Sequence, residues 1–196
     1  IQPHFLYNTL NAIQWQVLGG DQQGALAMLE NLSTFFRKGL NQGEELTTVA
    51  DEVAHVRSYL AIQQIRHEEL ATVAITVDPD LQKEPLLHFL LQPLVENAID
   101  HGIRTQTERS SKLWIEIQKK KTGMEITVAN NGTPIPAAQL AALNDPPPAT
   151  TGKGYGLQNI RQRLQLIYGK EARLQLTSNS AKTQVNIFVP YLTKSE

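Results

Sequence analysis

The hydrophobic period of this 196-residue chain changes once, near residue 71, and no single-layer fold accommodates both halves. Before that point apolar residues recur at helical spacing. Leu6, Leu10, Ile13 and Val17 make one stripe, and Ala25, Leu29, Leu32 and Phe36 make a second. Val49, Val53, Val56 and Leu60 make a third. Gly19-Gly20 breaks the first helix and Asp21 caps the next. Thr48 with Asp51 three residues on starts the third. Short breaks between amphipathic helices predict antiparallel packing or a dimeric bundle.

Beyond residue 71 the period becomes mixed. Val73, Ile75 and Val77 alternate as in a half-buried strand. Residues 86–101 return to helical spacing, with Pro93 expected to kink that helix or start its main segment. Leu113, Ile115 and Ile117, then Ile126 and Val128, predict a hairpin across Lys119-Lys120-Lys121-Thr122-Gly123. Leu157, Ile160, Leu164 and Ile167 predict a helix closed by Gly169, and two strands follow, at 174–176 and 185–189. Residues 133–153 hold Pro134, Pro136 and three consecutive prolines, and read as a lid or loop. The expected class is α+β, an all-helical part before an α/β part.

Three segments carry candidate chemistry. Thr151-Gly152-Lys153-Gly154-Tyr155-Gly156-Leu157 puts three alternate glycines before a helix. Glycine lets main-chain N–H groups approach an anion, and a helix N-terminus adds partial positive charge. The segment also reads as a plain hinge. It lacks the preceding strand of a dinucleotide fingerprint and the ending of a P-loop. In Glu96-Asn97-Ala98-Ile99-Asp100-His101-Gly102, residues 97, 100 and 101 share a helical face whose oxygens suit Mg²⁺. A solvated face fits the same pattern. Asn130-Asn131-Gly132 ends a strand, as a tight turn or as an amide at a pocket edge. His4 read alone is an ordinary surface histidine, and the other four histidines show no metal-ligand spacing.

Composition removes other classes. The chain has no cysteine, so disulfides, thiolate metal sites and cysteine nucleophiles are excluded. A net charge of −1 gives no general pull toward nucleic acid. No apolar run reaches the roughly 18 residues a membrane span needs. The chain opens on Ile1 inside a helical motif, which reads as a piece of a longer protein.

In order along the chain, QPHFLYNTLN, LLQPLVENAIDHG, VANNG and GKGYGLQNIRQRLQLIYG resemble four motifs of the LytS/YehU-type sensor histidine kinases. These are the phosphoacceptor motif, the N box and two glycine boxes. The resemblance implies a helical dimerisation and phosphotransfer region over 1–70. A GHKL (Bergerat) ATP-binding α/β sandwich would follow over 71–196. It implies phosphorylation of His4, with Asn8 orienting the phosphoryl group or water. Asn97 would hold Mg²⁺, and Glu96 would position metal or polarise the histidine. Gly132 would let the chain pass close to adenine, which Asn130 faces. Gly152, Gly154 and Gly156, with Lys153, would cradle the phosphates of ATP, and His101, Leu157 and Asn159 would line the same site. The implied partners are a second copy and a response-regulator receiver domain, with no direct nucleic acid. The implied place is the cytoplasmic side of a sensor anchored in the inner membrane. Phe5 follows His4 where other histidine kinases carry an acid, so a general base must come from elsewhere, and Glu96 is the candidate. The alternative is a degenerate GHKL domain serving as a dimeric scaffold without turnover. A chaperone or topoisomerase fragment fits the later motifs but not QPHFLYN.

Three positions depart from the pattern: Asn130 for Asp, Pro134 for Gly, and Asp100 for a common Lys. A charged acceptor for the adenine amino group is stronger than an amide oxygen by on the order of 1 kcal/mol, about fivefold in affinity. Calorimetric titration should therefore show Asn130→Asp binding Mg-nucleotide several-fold more tightly. A change below twofold removes Asn130 from the determinants of affinity.

Overall fold

The computed structural model describes residues 3–66, 71–104, 110–145 and 155–192. Three helices open the chain: α1 (Pro3–Leu18), α2 (Gln22–Leu40) and α3 (Val49–Arg66). Asp21 Oδ1 accepts from Gly24 N at 2.9 Å, and Thr48 Oγ1 accepts from Asp51 N at 3.1 Å, so both expected caps form. The stripe of α3 is buried as read: Val49, Val53, Val56 and Leu60 are all in the core.

The α1 stripe differs. Its buried residues are Phe5, Thr9 and Ile13, while Leu10 and Val17 are exposed. The cause is aromatic. The Phe5 ring lies 4.9 Å from Phe35 and 5.3 Å from Tyr59, and that contact rotates the helix away from its leucines. On α2 the buried line is Ala25, Met28, Leu32 and Phe35, and Leu29 stays exposed.

A five-stranded sheet follows in the order β2-β4-β5-β7-β6. Its strands are β2 (Thr72–Val77), β4 (Lys112–Lys119), β5 (Gly123–Asn130), β6 (Arg173–Ser178) and β7 (Thr183–Pro190). β2 pairs parallel with β4, and the other pairs are antiparallel. Leu113, Ile115 and Ile117 of β4 point into the core with Met124, Ile126 and Val128 of β5, and alternate residues face out. Helices α4 (Leu91–Asn97) and α6 (Tyr155–Tyr168) meet the sheet, so the second part is an α/β sandwich. One hydrophobic cluster runs from Phe5 to Val189 across both parts.

Two elements differ from expectation. Residues 85–87 are not helical: they form β3 (Pro85–Leu87), antiparallel to β1 (Leu46–Thr48). Ala137–Asn144, within the expected irregular stretch, forms a helix, α5. The β1–β3 ladder places the carbonyls of Gln82 and Glu84 against the N-terminus of α3, where Val49 N and Ala50 N each donate at 3.0 Å. Phe89 then takes a left-handed backbone (φ 58°), and α4 begins two residues later.

Glu52, on α3 and fully buried, explains that start. Its carboxylate accepts from Leu91 N at 2.9 Å and Phe89 N at 3.2 Å, and so caps α4. His88 Nδ1 lies 3.6 Å from Glu52 Oε2. Burial works against the imidazolium, yet Glu52 and the Gly39 carbonyl outweigh it and raise the His88 pKa. Glu52→Ala strands two buried N–H groups and should cost about 3 kcal/mol of unfolding free energy in urea titration. Glu52→Gln should cost less. A loss under about 1 kcal/mol in Glu52→Ala contradicts the capping role.

Candidate nucleotide and phosphoacceptor site

The N-box segment starts on α4 and changes pitch at its centre. Leu91–Asn97 is α-helical, and Ala98–Ile103 is a π-helix, closed by Arg104 N donating to Ile99 O at 2.9 Å. The wider turn breaks the simple 97/100/101 face that α-helical spacing predicts. Glu96 and Asn97 are half-buried, and Asp100 and His101 are exposed. Asp100 pairs with Arg104 at 2.8 Å, which places a cation beside the acid that stands where lysine is common.

The close of the π-helix packs directly on the end of β5. A Cβ on Gly132 would overlap the Gly102 carbonyl group, and a Cβ on Gly102 would overlap the Asn130 amide. Thr133 N donates to Gly102 O at 3.0 Å. Asn130, only 4% exposed, accepts from Gly132 N through Oδ1 at 3.0 Å. The amide oxygen is therefore held by its own turn, with its second lone pair left for another donor.

The last glycine of the loop meets the same place. Gly156 lies in the first turn of α6, where a Cβ would come into ordinary contact with Asn97 Nδ2. Leu157 is buried and Asn159 is exposed. Gly152, Lys153 and Gly154 lie outside the described residues. Arg163, one turn beyond Asn159, donates to His88 O at 2.9 Å and ties α6 to the loop before α4. The structure thus gathers Glu96, Asn97, Gly102, Asn130, Gly132 and Gly156 around the junction of α4, β5 and α6.

His4 is exposed at the start of α1, and the Asn8 amide nitrogen lies 2.8 Å from its Nε2. The neighbouring Phe5 anchors that end of the helix on Tyr59. Burial raises the Tyr59 hydroxyl pKa, and the Glu96 and Asp100 carboxylates raise it further. The Glu96 pKa is itself raised, by burial first and by Asp100, while a hydrogen bond from Gln92 opposes.

Some residues of this region escape motif reading. Glu52, His55 and Gln63 are polar positions buried on α3, and Gln92 is buried on α4. Their signal is positional: Glu52 and His55 interrupt the apolar stripe Val49–Val53–Val56, where a solvated residue has no place.

Asn97 and Glu96 offer an amide and a carboxylate oxygen, a donor set that fits a hard cation shared with phosphate oxygens. Among the described residues no group of three or more His, Cys, Asp or Glu side chains surrounds a metal position. Among the described residues no helix is long and apolar enough to cross a membrane.

Comparison with known proteins shows the family and the fold. Residues 82–193 match the family described as histidine kinase-, DNA gyrase B-, and HSP90-like ATPase, and residues 1–71 match the histidine kinase family. The chain is 33% identical over 191 residues to the sensor histidine kinase YesM of Bacillus subtilis, covering 97% of this chain and 32% of that protein. It is 30% identical over 198 residues to the sensor protein LytS of Staphylococcus epidermidis, covering 100% and 33%. The chain thus spans about a third of the length of the curated relatives it matches. The histidine kinase domain of the Erythrobacter litoralis EL346 blue-light activated kinase shares the fold, with a TM-score of 0.55 at 17% identity over 90% of this chain and 83% of that one.

Gly102→Ala should displace the Asn130 amide without breaking a helix. We expect adenine-nucleotide affinity to fall at least tenfold by calorimetry while the circular dichroism spectrum is retained. Unchanged affinity would detach this contact from the nucleotide site.

Proposed function

The chain belongs to the histidine kinase family of GHKL ATPases, and on that premise we propose that it transfers the γ-phosphoryl group of ATP to His4 for relay to a response-regulator aspartate. The observation that carries the reading is the packing of the end of the π-helix on the end of β5 through Gly102, Asn130 and Gly132, in a chain that also exposes His4 with the Asn8 amide beside it. The division at residues 70/71 into a phosphotransfer and an ATP-binding region belongs to this reading.

In it, a ring nitrogen of His4 attacks phosphorus as ADP leaves, and Asn8 orients the imidazole. Asn97, with Glu96, holds Mg²⁺, which when bound neutralises phosphate charge. Glu96 also takes the imidazole proton, a role its half-buried position favours. Asn130, Gly132 and His101 line the adenine side, and Gly152, Lys153, Gly154, Gly156, Leu157 and Asn159 the phosphate side. Catalysis here is mostly positioning and charge neutralisation.

A second copy of the chain is part of the proposal. Tyr7, Leu10, Val17 and Leu18 of α1, with Leu26 and Leu29 of α2, are large apolar side chains left exposed. Sedimentation at micromolar concentration should give a dimer, and Leu10→Glu with Val17→Glu should shift it toward monomer. A strict monomer with intact helices contradicts the bundle.

Incubation with γ-labelled ATP should give label that survives base and is lost in acid, the behaviour of phosphohistidine. His4→Gln should abolish it with nucleotide affinity unchanged. Asn97→Ala should lower Mg-ATP affinity or turnover at least tenfold. Label persisting in His4→Gln contradicts the assignment.

A further inference from the structure

A buried polar chain runs from the backbone of α2 to the Glu96 carboxylate. His55, on α3, is fully buried. Its Nδ1 lies 3.0 Å from Phe35 O, and its ring stacks on Phe35 with centroids 4.5 Å apart. Its Nε2–H donates to Gln92 Oε1 on α4, since an amide oxygen only accepts. The other end of that amide, Nε2–H, donates to Glu96 Oε1 at 2.9 Å, one helical turn on. Gly39 on α2 leaves room for the ring, since a Cβ there would press on His55 Cε1.

Packing alone does not account for this arrangement. A phenylalanine at 55 would fill the same slot against Phe35 and Phe89 with no polar group to satisfy. What the imidazole adds is direction. It fixes which end of the Gln92 amide faces inward, and the amide then fixes the carboxylate rotamer. The remaining charged or titratable groups nearby hold other places. His88 sits 6.3 Å away, ring to ring, turned toward Glu52, Asp100 pairs with Arg104, and the Tyr59 hydroxyl accepts from Gln63.

We propose that His55 and Gln92 are positioning residues that hold the Glu96 carboxylate in register with the helix pair carrying His4. Because the first link is a main-chain carbonyl of α2, a displacement of α2 against α4 breaks the chain and frees the carboxylate. The nucleotide-binding residues Asn97, Asn130 and Gly132 are not links in it. The bridge therefore acts on phosphoryl transfer and not on the binding of metal-free nucleotide. The inference rests on the role given to Glu96 above.

The test uses the full chain with ATP and Mg²⁺. It compares His55→Phe, Gln92→Leu, Glu96→Gln and the double variant His55→Phe/Glu96→Gln. His55→Phe and Gln92→Leu should lower the maximal rate of His4 phosphorylation at least tenfold, with affinity for nucleotide in the absence of Mg²⁺, by calorimetry, within twofold of wild type. The double variant should be no slower than Glu96→Gln alone, because the bridge works through that carboxylate. In the nucleotide-free protein, a slowly exchanging imidazole N–H of His55 in nitrogen-edited NMR should be lost in Gln92→Leu. If His55→Phe fails to fold, Gln92→Met retains volume and carries the same comparison. Rates within twofold of wild type in the two bridge variants, or losses that add to that of Glu96→Gln, overturn the proposal. A normal rate in Glu96→Gln, or no phosphorylation of the wild type at all, overturns the role of Glu96 and the bridge with it. A slow Glu96→Gln beside a normal His55→Phe overturns the bridge alone.

Discussion

The rest of the site depends on one buried carboxylate. Glu52 has no solvent exposure and caps α4 by accepting from Leu91 N and Phe89 N. A left-handed Phe89 costs on the order of 1–2 kcal/mol, and it persists because the carboxylate and the β1–β3 ladder hold the chain on both sides of it. Once α4 starts at Leu91, the places of Gln92, Glu96 and Asn97 follow from helix geometry. The π-turn then brings Gly102 onto the end of β5.

This explains how a helical segment and a sandwich become one working unit. Contacts between them are both apolar and polar. Phe5, Phe35 and Tyr59 make the apolar seam under the start of α1. Glu52, His55 and His88 carry polar links from α3 and from the loop after β3 into the same core. Buried polar groups are costly when unpaired, so these links tolerate few arrangements of α2, α3 and α4.

Much of the fold was legible. The α3 stripe, the Asp21 and Thr48 caps, the β4–β5 hairpin and the Gly169 stop each rest on local rules, and each formed. What escaped was non-local. The α1 stripe was read from Leu10 and Val17, because nothing nearby in sequence shows that Phe5 would pair with Phe35 and Tyr59. β3 exists only through its pairing with β1, about 40 residues earlier, so residues 86–90 passed for helix. The motif residues of the site were legible as types and order. Their supports, Glu52, His55 and Gln92, were not, because a polar residue on a helix ordinarily faces water.

The most direct test of the account is the location of the phosphoryl group. The full-length protein, incubated with ATP and Mg²⁺ and kept at neutral pH, can be digested and its phosphopeptides sequenced by mass spectrometry. The account predicts phosphate on the peptide holding His4, within Pro3–Leu18. Phosphate on another histidine, or none on a protein that binds and exchanges ATP, would contradict it.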